Sequence, residues 1–305
     1  MIRRYRRRNA NFRNLEIVPT GEAIVTHDKV DFSSVAWGSV EWTNLVTLYL
    51  RAYESRRPRP ILGDHAAAAA VDRIDYDFKR IHRSSLPVSN QYLVVLRAKQ
   101  LDEWCADFLR RHPEAVVLHL GCGLDGRAFR ISVPTSVQWF DLDQPGVIEL
   151  RRRLYEDTAH YHMIGSSVTD PRWLADIPRG RPALIVAEGL LMYLEPTDAL
   201  GLITECARRF PGGRMMFDLP PSWFAALARR GGFRTSLRYR VPAMPFGMSV
   251  SEAATLVDVI PGVRAVHDVP YPRGRGHLVN SLMWTAQRIP LLDPLRPSLT
   301  LLEFG

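Results

Sequence analysis

Short apolar runs alternate with amphipathic stretches through the middle of the chain. The apolar runs occupy residues 115–121, 136–143, 160–167, 181–189 and 212–219. They predict buried strands, while the stretches between them repeat their apolar residues at helical spacing. Strands that alternate with helices in this way indicate a mostly parallel α/β sheet with helices on both of its faces.

The pattern differs on either side of this alternation. Further helices are predicted over residues 39–56, 65–74, 89–113 and 249–260. Ser89 or Asn90 is expected to cap the long third helix, and Pro113 follows its end. Residues 263–269 and 280–288 predict two strands without a convincing helix between them, so we expect an antiparallel hairpin at the sheet edge.

Composition narrows the class of protein. The 305 residues contain 40 basic and 32 acidic side chains, for a net charge of +8, and no apolar run long enough to span a membrane. The excess positive charge comes almost entirely from arginine. These arginines are scattered along the chain, except for the run from Arg3 to Arg8, which we interpret as a solvated tail. We expect no nucleic-acid partner and no secretory signal. Three widely spaced cysteines favour a reduced, cytoplasmic protein and indicate no metal site.

The sequence GCGLDG at residues 121–126 matches a nucleotide-binding glycine loop. The apolar pattern after it does not continue as a long helix, and Asp125 would face the pyrophosphate of a dinucleotide. A carboxylate in that place favours a cationic cofactor such as S-adenosylmethionine. Asp141 and Asp143 end the second strand and suit the ribose of either cofactor. The alternative role for one of them is to cap the next helix.

Three segments in order carry a family resemblance: VVLHLGCGLDGRAFRI, WFDLDQPGVIEL and LIVAEGLLMYLEPTDALGLI. They resemble the leucine carboxyl methyltransferase family, and most closely its bacterial branch of polyketide O-methyltransferases. The resemblance covers roughly residues 35–290. It implies a class I methyltransferase fold, with a Rossmann-like sheet and a helical N-terminal lid, and S-adenosylmethionine as the cofactor.

The same resemblance implies the cofactor-binding residues. Arg97 would bind the carboxylate of the cofactor, and Gly121 and Gly123 would bring the backbone close to its methionine part. Asp143 would bind the ribose hydroxyls, and Glu188 would lie beside the methionine ammonium. Tyr193 matches a tyrosine near the substrate and is the substrate-side candidate. No catalytic base is assigned.

The chain departs from the family pattern after the third strand. Ser167 stands where an aspartate often binds the adenine amino group, so its hydroxyl and the backbone of Val168 are expected to replace that aspartate. Thr169 stands where the phosphatase-modifying members carry an arginine for the substrate carboxylate. This second difference favours a small-molecule acceptor over a protein tail.

Several of these residues also have structural interpretations. Arg97 could be a surface residue of its helix, and Tyr193 could belong to the core. His119 lies inside a strand and is expected to be a hydrogen-bonded core histidine. Glu188 ends a buried run, so its carboxylate has to be paired or functional.

The predicted organisation has three parts. Residues 1–34 form a basic, partly disordered segment, residues 35–88 a helical lid, and residues 89–305 a methyltransferase domain with a substrate-cap insertion at about 220–247. The lid and the cap would roof the pocket with aromatic side chains, which are Trp42, Tyr49, Trp223, Phe224, Tyr239 and Phe246.

The sequence therefore predicts an S-adenosylmethionine-dependent O-methyltransferase. Its acceptor is expected to be a carboxyl or phenolic hydroxyl group of an aromatic polyketide or another secondary metabolite. Three histidines, His162, His267 and His277, are open as bases for a phenol. Two alternatives remain: an NAD(P)-dependent oxidoreductase that uses the GCGLDG loop, and a methyltransferase-like module that binds cofactor without turnover.

Overall fold

The computed structural model describes residues 29–36, 40–83, 91–229, 234–236, 239–240, 242–275, 280–281, 284–285 and 287–305. Most of the predicted N-terminal segment, the expected cap residues Ser89 and Asn90, and the candidate base His277 lie outside these ranges.

The main sheet contains the predicted strands in a mostly parallel arrangement. Along the chain its strands are β3 (Val116–Leu120), β4 (Gln138–Asp143), β5 (Tyr161–Gly165), β6 (Ala183–Ala187), β7 (Arg214–Leu219), β10 (Val263–Asp268) and β11 (Ser298–Phe304). Their order in space is β10-β11-β7-β6-β3-β4-β5, and the strands from β7 to β5 are parallel. The predicted α/β fold class is confirmed.

Two short pairs of strands lie apart from this sheet. The first pairs β1 (Val30–Asp31) with β2 (Ile74–Asp75), and the second pairs β8 (Arg234–Ser236) with β9 (Tyr239–Arg240).

The helices cover both faces of the sheet. They are α1 (Val40–Ser55), α2 (His65–Arg73), α3 (Phe78–Arg83), α4 (Gln91–Arg111), α5 (Arg127–Arg130), α6 (Pro145–Arg152), α7 (Pro196–Arg209), α8 (Ser222–Arg229), α9 (Val250–Ala254) and α10 (Leu256–Val259). Short 3₁₀ helices span Pro171–Asp176, Leu191–Tyr193 and Pro290–Leu295. Within the described ranges, no helix combines the length and apolar character needed to cross a bilayer.

The predicted hairpin at the sheet edge has the wrong second strand. β10 is at the edge and is antiparallel to its neighbour, as expected, but that neighbour is β11 at residues 298–304. Residues 280–281 and 284–285 are helical instead. β11 lies between β10 and β7, so both of its edges are paired. Leu299 packs in one core cluster and Leu302 in the other, so both faces are buried and its apolar residues do not alternate strictly with polar ones.

Helices α1, α2 and α3 form a separate layer with its own apolar core. Phe32, Trp42, Leu45 and Ile81 are fully buried in this layer, and Leu124 of the glycine loop packs against it. The layer therefore rests directly on the loop that follows β3.

The order in which the chain adds strands to the sheet changes direction at β3. From there it adds β4 and β5 on one side, and then crosses over to add β6 and β7 on the other side. Such a switch opens a crevice at the carboxyl ends of the two central strands, where ligands of open α/β sheets bind. The segments at this point follow β3 and β6, at residues 121–126 and 188–190.

Candidate active site

The loop after β3 requires glycine at two positions. Gly121 and Gly123 have φ angles of 63° and 51°, which disfavour residues with a side chain. A Cβ atom on Gly121 would lie 2.8 Å from Cδ1 of Leu190, and one on Gly123 would lie 2.7 Å from Oδ1 of Asn44. The backbone is therefore packed closely on both sides of the loop, from the β6 side and from α1.

Arg97 reaches this crevice from the long helix α4. Its Nε donates to Oε1 of Glu188 at 3.0 Å, and its Nη1 donates to Oδ2 of Asp218 at 2.6 Å. The Arg97 side chain is only 18% exposed, and both carboxylates are buried. The surface interpretation of Arg97 is therefore wrong, and the predicted pairing of Glu188 is confirmed.

Burial and the neighbouring guanidinium groups have opposite effects on the pKa values of Glu188 and Asp218. Burial alone would raise the pKa of Glu188, but the guanidinium groups of Arg97 and Arg127 outweigh it and hold that pKa at about 2. Burial raises the pKa of Asp218, and Glu188 adds to this effect against the attraction of Arg97. Glu188 is thus firmly ionised, while Asp218 is the carboxyl group that takes up a proton more readily.

The two aspartates that end β4 have different surroundings. Asp143 is half-buried, and its Oδ2 accepts a hydrogen bond from the backbone N–H of Gly123 at 2.7 Å. Asp141 is fully buried, where it pairs with Arg151 and accepts from the Tyr161 hydroxyl at 2.6 Å. Asp141 is therefore held in the core and Asp143 lies beside the glycine loop. Neither of them caps the following helix, because residue 144 does.

A cavity of about 220 Å³ lies between the glycine loop, the segment after β6, and α1. Arg97, Gly121, Gly123, Glu188 and Tyr193 all line it, which brings together five of the residues predicted from the sequence. α1 closes the cavity with a polar face of four residues, Thr43, Asn44, Thr47 and Arg51. Their spacing places them on one side of the helix.

The structure does not bring the remaining predicted cofactor residues into this cavity. Asp143 contacts it only through the backbone of Gly123. Val168 is buried in the core, and the Ser167 hydroxyl lies 2.8 Å from that of Thr169. Val168 and Thr169 line a separate depression beside Trp173.

The electrostatic argument from Asp125 needs correction. Its carboxylate is buried and is paired with Arg130 at 2.9 Å, and Arg51 and Arg127 also lie within 4 Å. These guanidinium groups neutralise it, so Asp125 has no free charge to attract a cationic cofactor. The other part of the argument holds, because α5 after the loop has only four residues.

His119 is a core histidine, as expected. It is 1% exposed, and its Nδ1 lies 3.1 Å from Oδ1 of Asp141. The two described base candidates do not line the cavity: His162 is hydrogen-bonded to Gln138, and His267 lies beside Glu303 in the sheet. His119 does line it, but both of its ring nitrogens face the buried groups Asp141 and Arg127.

A second cavity of about 330 Å³ adjoins the first. The two cavities share Val94, Arg97, Met192 and Met244 in their walls. The second one is mostly apolar and continues along Leu219 to Phe224, with Asp218 and Tyr271 as its inner polar groups.

The predicted aromatic roof is only partly correct. Trp223 and Phe224 line the second cavity. Trp42 is fully buried in the helical layer, Tyr49 stacks on Phe78, and Phe246 is buried in the main core. These three side chains pack the protein, and the side chain of Tyr239 lies outside the described residues.

Comparison with known proteins agrees with this geometry. The family model of leucine carboxyl methyltransferases matches residues 44–207. The chain is 45% identical to the tetracenomycin polyketide synthesis O-methyltransferase TcmP of Streptomyces glaucescens, over 74% of this chain and 80% of that protein. It is 33% identical to the S-adenosyl-L-methionine-dependent methyltransferase dpfgK of Gibberella zeae, over 63% of this chain and 70% of the relative.

The chain belongs to the leucine carboxyl methyltransferase family. A solved structure from Thermobifida fusca, of a protein proposed to be a methyltransferase, has the same fold with a TM-score of 0.51 at 16% identity. The alignment covers 84% of this chain and 94% of that one. The predicted family, the class I methyltransferase fold, the enzyme class and the cofactor S-adenosylmethionine are confirmed.

Within this family fold, sequence reasoning did not assign roles to two groups of cavity residues. Asp218, near the end of β7, is recognisable from the sequence as a carboxylate at the ligand-binding edge of the sheet, by the same signal that marks Glu188. No motif surrounds it, so its contact with Arg97 was not predicted. The polar face of α1 was missed, because Thr, Asn and Arg are common on solvent-exposed helix faces.

Proposed function

We propose that this methyltransferase transfers a methyl group to an oxygen atom of a small aromatic secondary metabolite, of the polyketide type. The relationship to TcmP, a polyketide synthesis O-methyltransferase, supports this acceptor class. The accepting group is a carboxylate or a phenolic hydroxyl.

The observation that carries the proposal is the pairing of Arg97 with Glu188 beside the glycine loop. The methionine part of S-adenosylmethionine has a carboxylate and an ammonium group. A guanidinium and a carboxylate that lie side by side in one cavity suit these two groups. Gly121 and Gly123 let the loop adopt its left-handed turns under Leu190 and Asn44, which keeps its backbone in the wall of this cavity.

The other predicted cofactor contacts lie outside this cavity, and we propose that they bind the rest of the cofactor. Asp143 lies next to Gly123 and would hold the ribose hydroxyls. Ser167 and Val168 follow β5 on the same edge of the sheet and would bind adenine. Tyr193 lines this cavity next to Met192, which also belongs to the wall of the second cavity, and at that boundary it would contact the acceptor.

The bound cofactor supplies a methyl group that its sulfonium already activates. The protein therefore has to hold the acceptor oxygen in line with the methyl carbon and to exclude water. Arg97 and Glu188 fix the donor end, and the α1 layer covers the cavity. An acceptor carboxylate needs no base, whereas a phenol gives up its proton during the transfer. No described histidine lines the second cavity, and His119, which lines the first, has both ring nitrogens against Asp141 and Arg127.

We also propose a cytoplasmic location. All three cysteines, Cys105, Cys122 and Cys206, are buried free thiols, which suits a reducing compartment.

Two experiments test the function. Calorimetry is expected to detect binding of S-adenosylhomocysteine and no binding of NAD or NADP. Methyl transfer from labelled S-adenosylmethionine to a panel of aromatic phenols and aromatic carboxylic acids is expected to give product with one of these groups. Tight cofactor binding without transfer to any member of the panel would favour the non-catalytic module.

A further inference from the structure

We infer that the second cavity is the acceptor site and that it takes a flat, largely apolar, multi-ring aromatic molecule. This inference rests on the proposed methyltransferase function and names the place and the shape of its acceptor.

The first argument is continuity between the two cavities. Val94, Arg97, Met192 and Met244 belong to the walls of both, so a molecule in the second cavity meets the first along this shared boundary. Arg97 lies at the boundary and contacts Glu188 on one side and Asp218 on the other. A methyl group carried in the first cavity would therefore reach an acceptor in the second without crossing solvent.

The second argument is the chemistry of the walls. Pro220, Pro221, Trp223 and Phe224 form one side of the cavity, and they present rings with little hydrogen-bonding capacity. The volume of about 330 Å³ falls at the lower end of the range of small-molecule sites. Flat rings stack well on such surfaces, whereas a peptide backbone would leave its polar groups unpaired there.

The third argument is the mouth of the cavity. Leu93 of α4, Trp223 of α8 and Leu295 of the last 3₁₀ helix line it, and they are 54%, 50% and 59% exposed. Three large apolar side chains from three separate elements thus meet at one opening. Exposed apolar side chains grouped around a cavity mark a binding surface more often than isolated ones do.

The inner end of the cavity orients the acceptor. Asp218 and Tyr271 are its polar groups there, next to Arg97. An acceptor that carries its oxygen on one edge of an apolar ring system would place that edge inward and its rings against the apolar wall. The reacting oxygen would then lie at the boundary between the two cavities.

The test uses the full chain saturated with S-adenosylhomocysteine and a dihydroxyanthraquinone as the probe, with binding measured by calorimetry. Leu295→Arg and Leu93→Arg place a charged side chain at the mouth from two different elements. Both positions are exposed, so the changes should not disturb folding. Leu291→Arg is the matched control, because Leu291 lies in the same 3₁₀ helix as Leu295, is 84% exposed and does not line the cavity.

The wild-type protein and Leu291→Arg are expected to bind the probe equally well. Each mouth variant should bind it about tenfold more weakly or worse, which corresponds to about 1.4 kcal/mol. All four proteins should bind S-adenosylhomocysteine alike, and failure of that binding would contradict the proposed function rather than this inference. The inference is wrong if the mouth variants bind the probe like wild type. It is also wrong if the wild type ignores the probe and binds a leucine-terminated peptide instead.

Discussion

Replacing Arg97 by lysine separates the binding role of this residue from its structural role. Lysine keeps the positive charge but offers a compact ammonium in place of a planar fork of donors. Arg97 now donates through Nε to Glu188 and through Nη1 to Asp218, and an ammonium cannot reproduce both directions. In the proposed role, the guanidinium also donates to the carboxylate of the cofactor.

The expected size of the effect follows from these contacts. A hydrogen bond to a charged group contributes about 1.5–3 kcal/mol, so losing the contact to the cofactor should raise Kd by about 10- to 150-fold. Arg97→Ala would in addition remove the guanidinium from Asp218, which is 4% exposed. Breaking a buried ion pair in this way costs about 3–5 kcal/mol of folding stability. The lysine variant is therefore the sharper test.

Calorimetry with S-adenosylhomocysteine, together with thermal unfolding, measures both effects on one sample. Arg110→Lys is the control, because Arg110 lies on the same helix and its side chain is 75% exposed in a local pair with Asp107. This control should leave both Kd and Tm unchanged. If Arg97→Lys lowers Tm but binds the ligand like wild type, Arg97 only holds Glu188 and Asp218 and does not bind the cofactor.

Three further predictions concern the loop and the strand beside it. Asp143→Ala should weaken cofactor binding more than Asp141→Ala, whereas Asp141→Ala should cost more stability; calorimetry and unfolding that give the opposite order would contradict both roles. Gly123→Ala should lower Tm and weaken binding, because a Cβ there meets Asn44 at 2.7 Å, while Gly146→Ala has open space and should do neither. Burial would raise the pKa of Asp141, but Arg151 and the hydrogen bonds to the carboxylate lower this pKa to about 2. The ionised Asp141 therefore contributes its full stabilisation above about pH 4, and this contribution is lost as the pH falls towards 2. Acid unfolding should show a loss of about 2 kcal/mol from this carboxyl, and Asp141→Asn should flatten the curve over that window.

The parallel part of the fold was predictable because its central strands are buried on both faces and are bounded by polar or glycine residues, whereas the edge strand β5 is only half buried and gave a weaker signal. The antiparallel strand at 298–304 was not recognised, although Pro297 precedes it and its residues favour strands. The stretch at 280–288 has a comparable apolar content, and composition alone does not decide which of two such segments pairs with β10. Long-range packing against β7 decides it, and that information is not local.

The same distinction applies to the site. Gly121, Gly123 and Glu188 follow strands at the switch point, so their position could be inferred from the order of elements. The proximity of Arg97 to Gly121 could also be inferred. α4 leads through a short turn into β3, which runs back along the helix, so the loop after β3 lies level with Arg97. The contribution of α1 could not, because nothing in its sequence tells which of its faces meets the glycine loop.

A network of buried charges lies beneath the site. Asp64, which caps the N-terminus of α2, forms a chain of ion pairs with Arg130, Asp102 and Arg127 that continues to Glu188. Arginine suits this chain because one planar guanidinium can serve several carboxylates at once, as Arg130 does for three. Part of the arginine excess is thus located in ion pairs inside the protein.

This chain of ion pairs also gives the helical layer a direct connection to the cofactor side of the cavity. Arg127 donates a hydrogen bond to Glu188 and so orients it. Arg127 also donates to Asp102, and Asp102 accepts a further hydrogen bond from Arg130. Because each guanidinium pairs with more than one carboxylate, a change at Asp64, at one end of this series of ion pairs, alters the charges that position Glu188 at the other end. The placement of the helical layer on the glycine loop and the orientation of the proposed ammonium-binding carboxylate are therefore two consequences of one buried network.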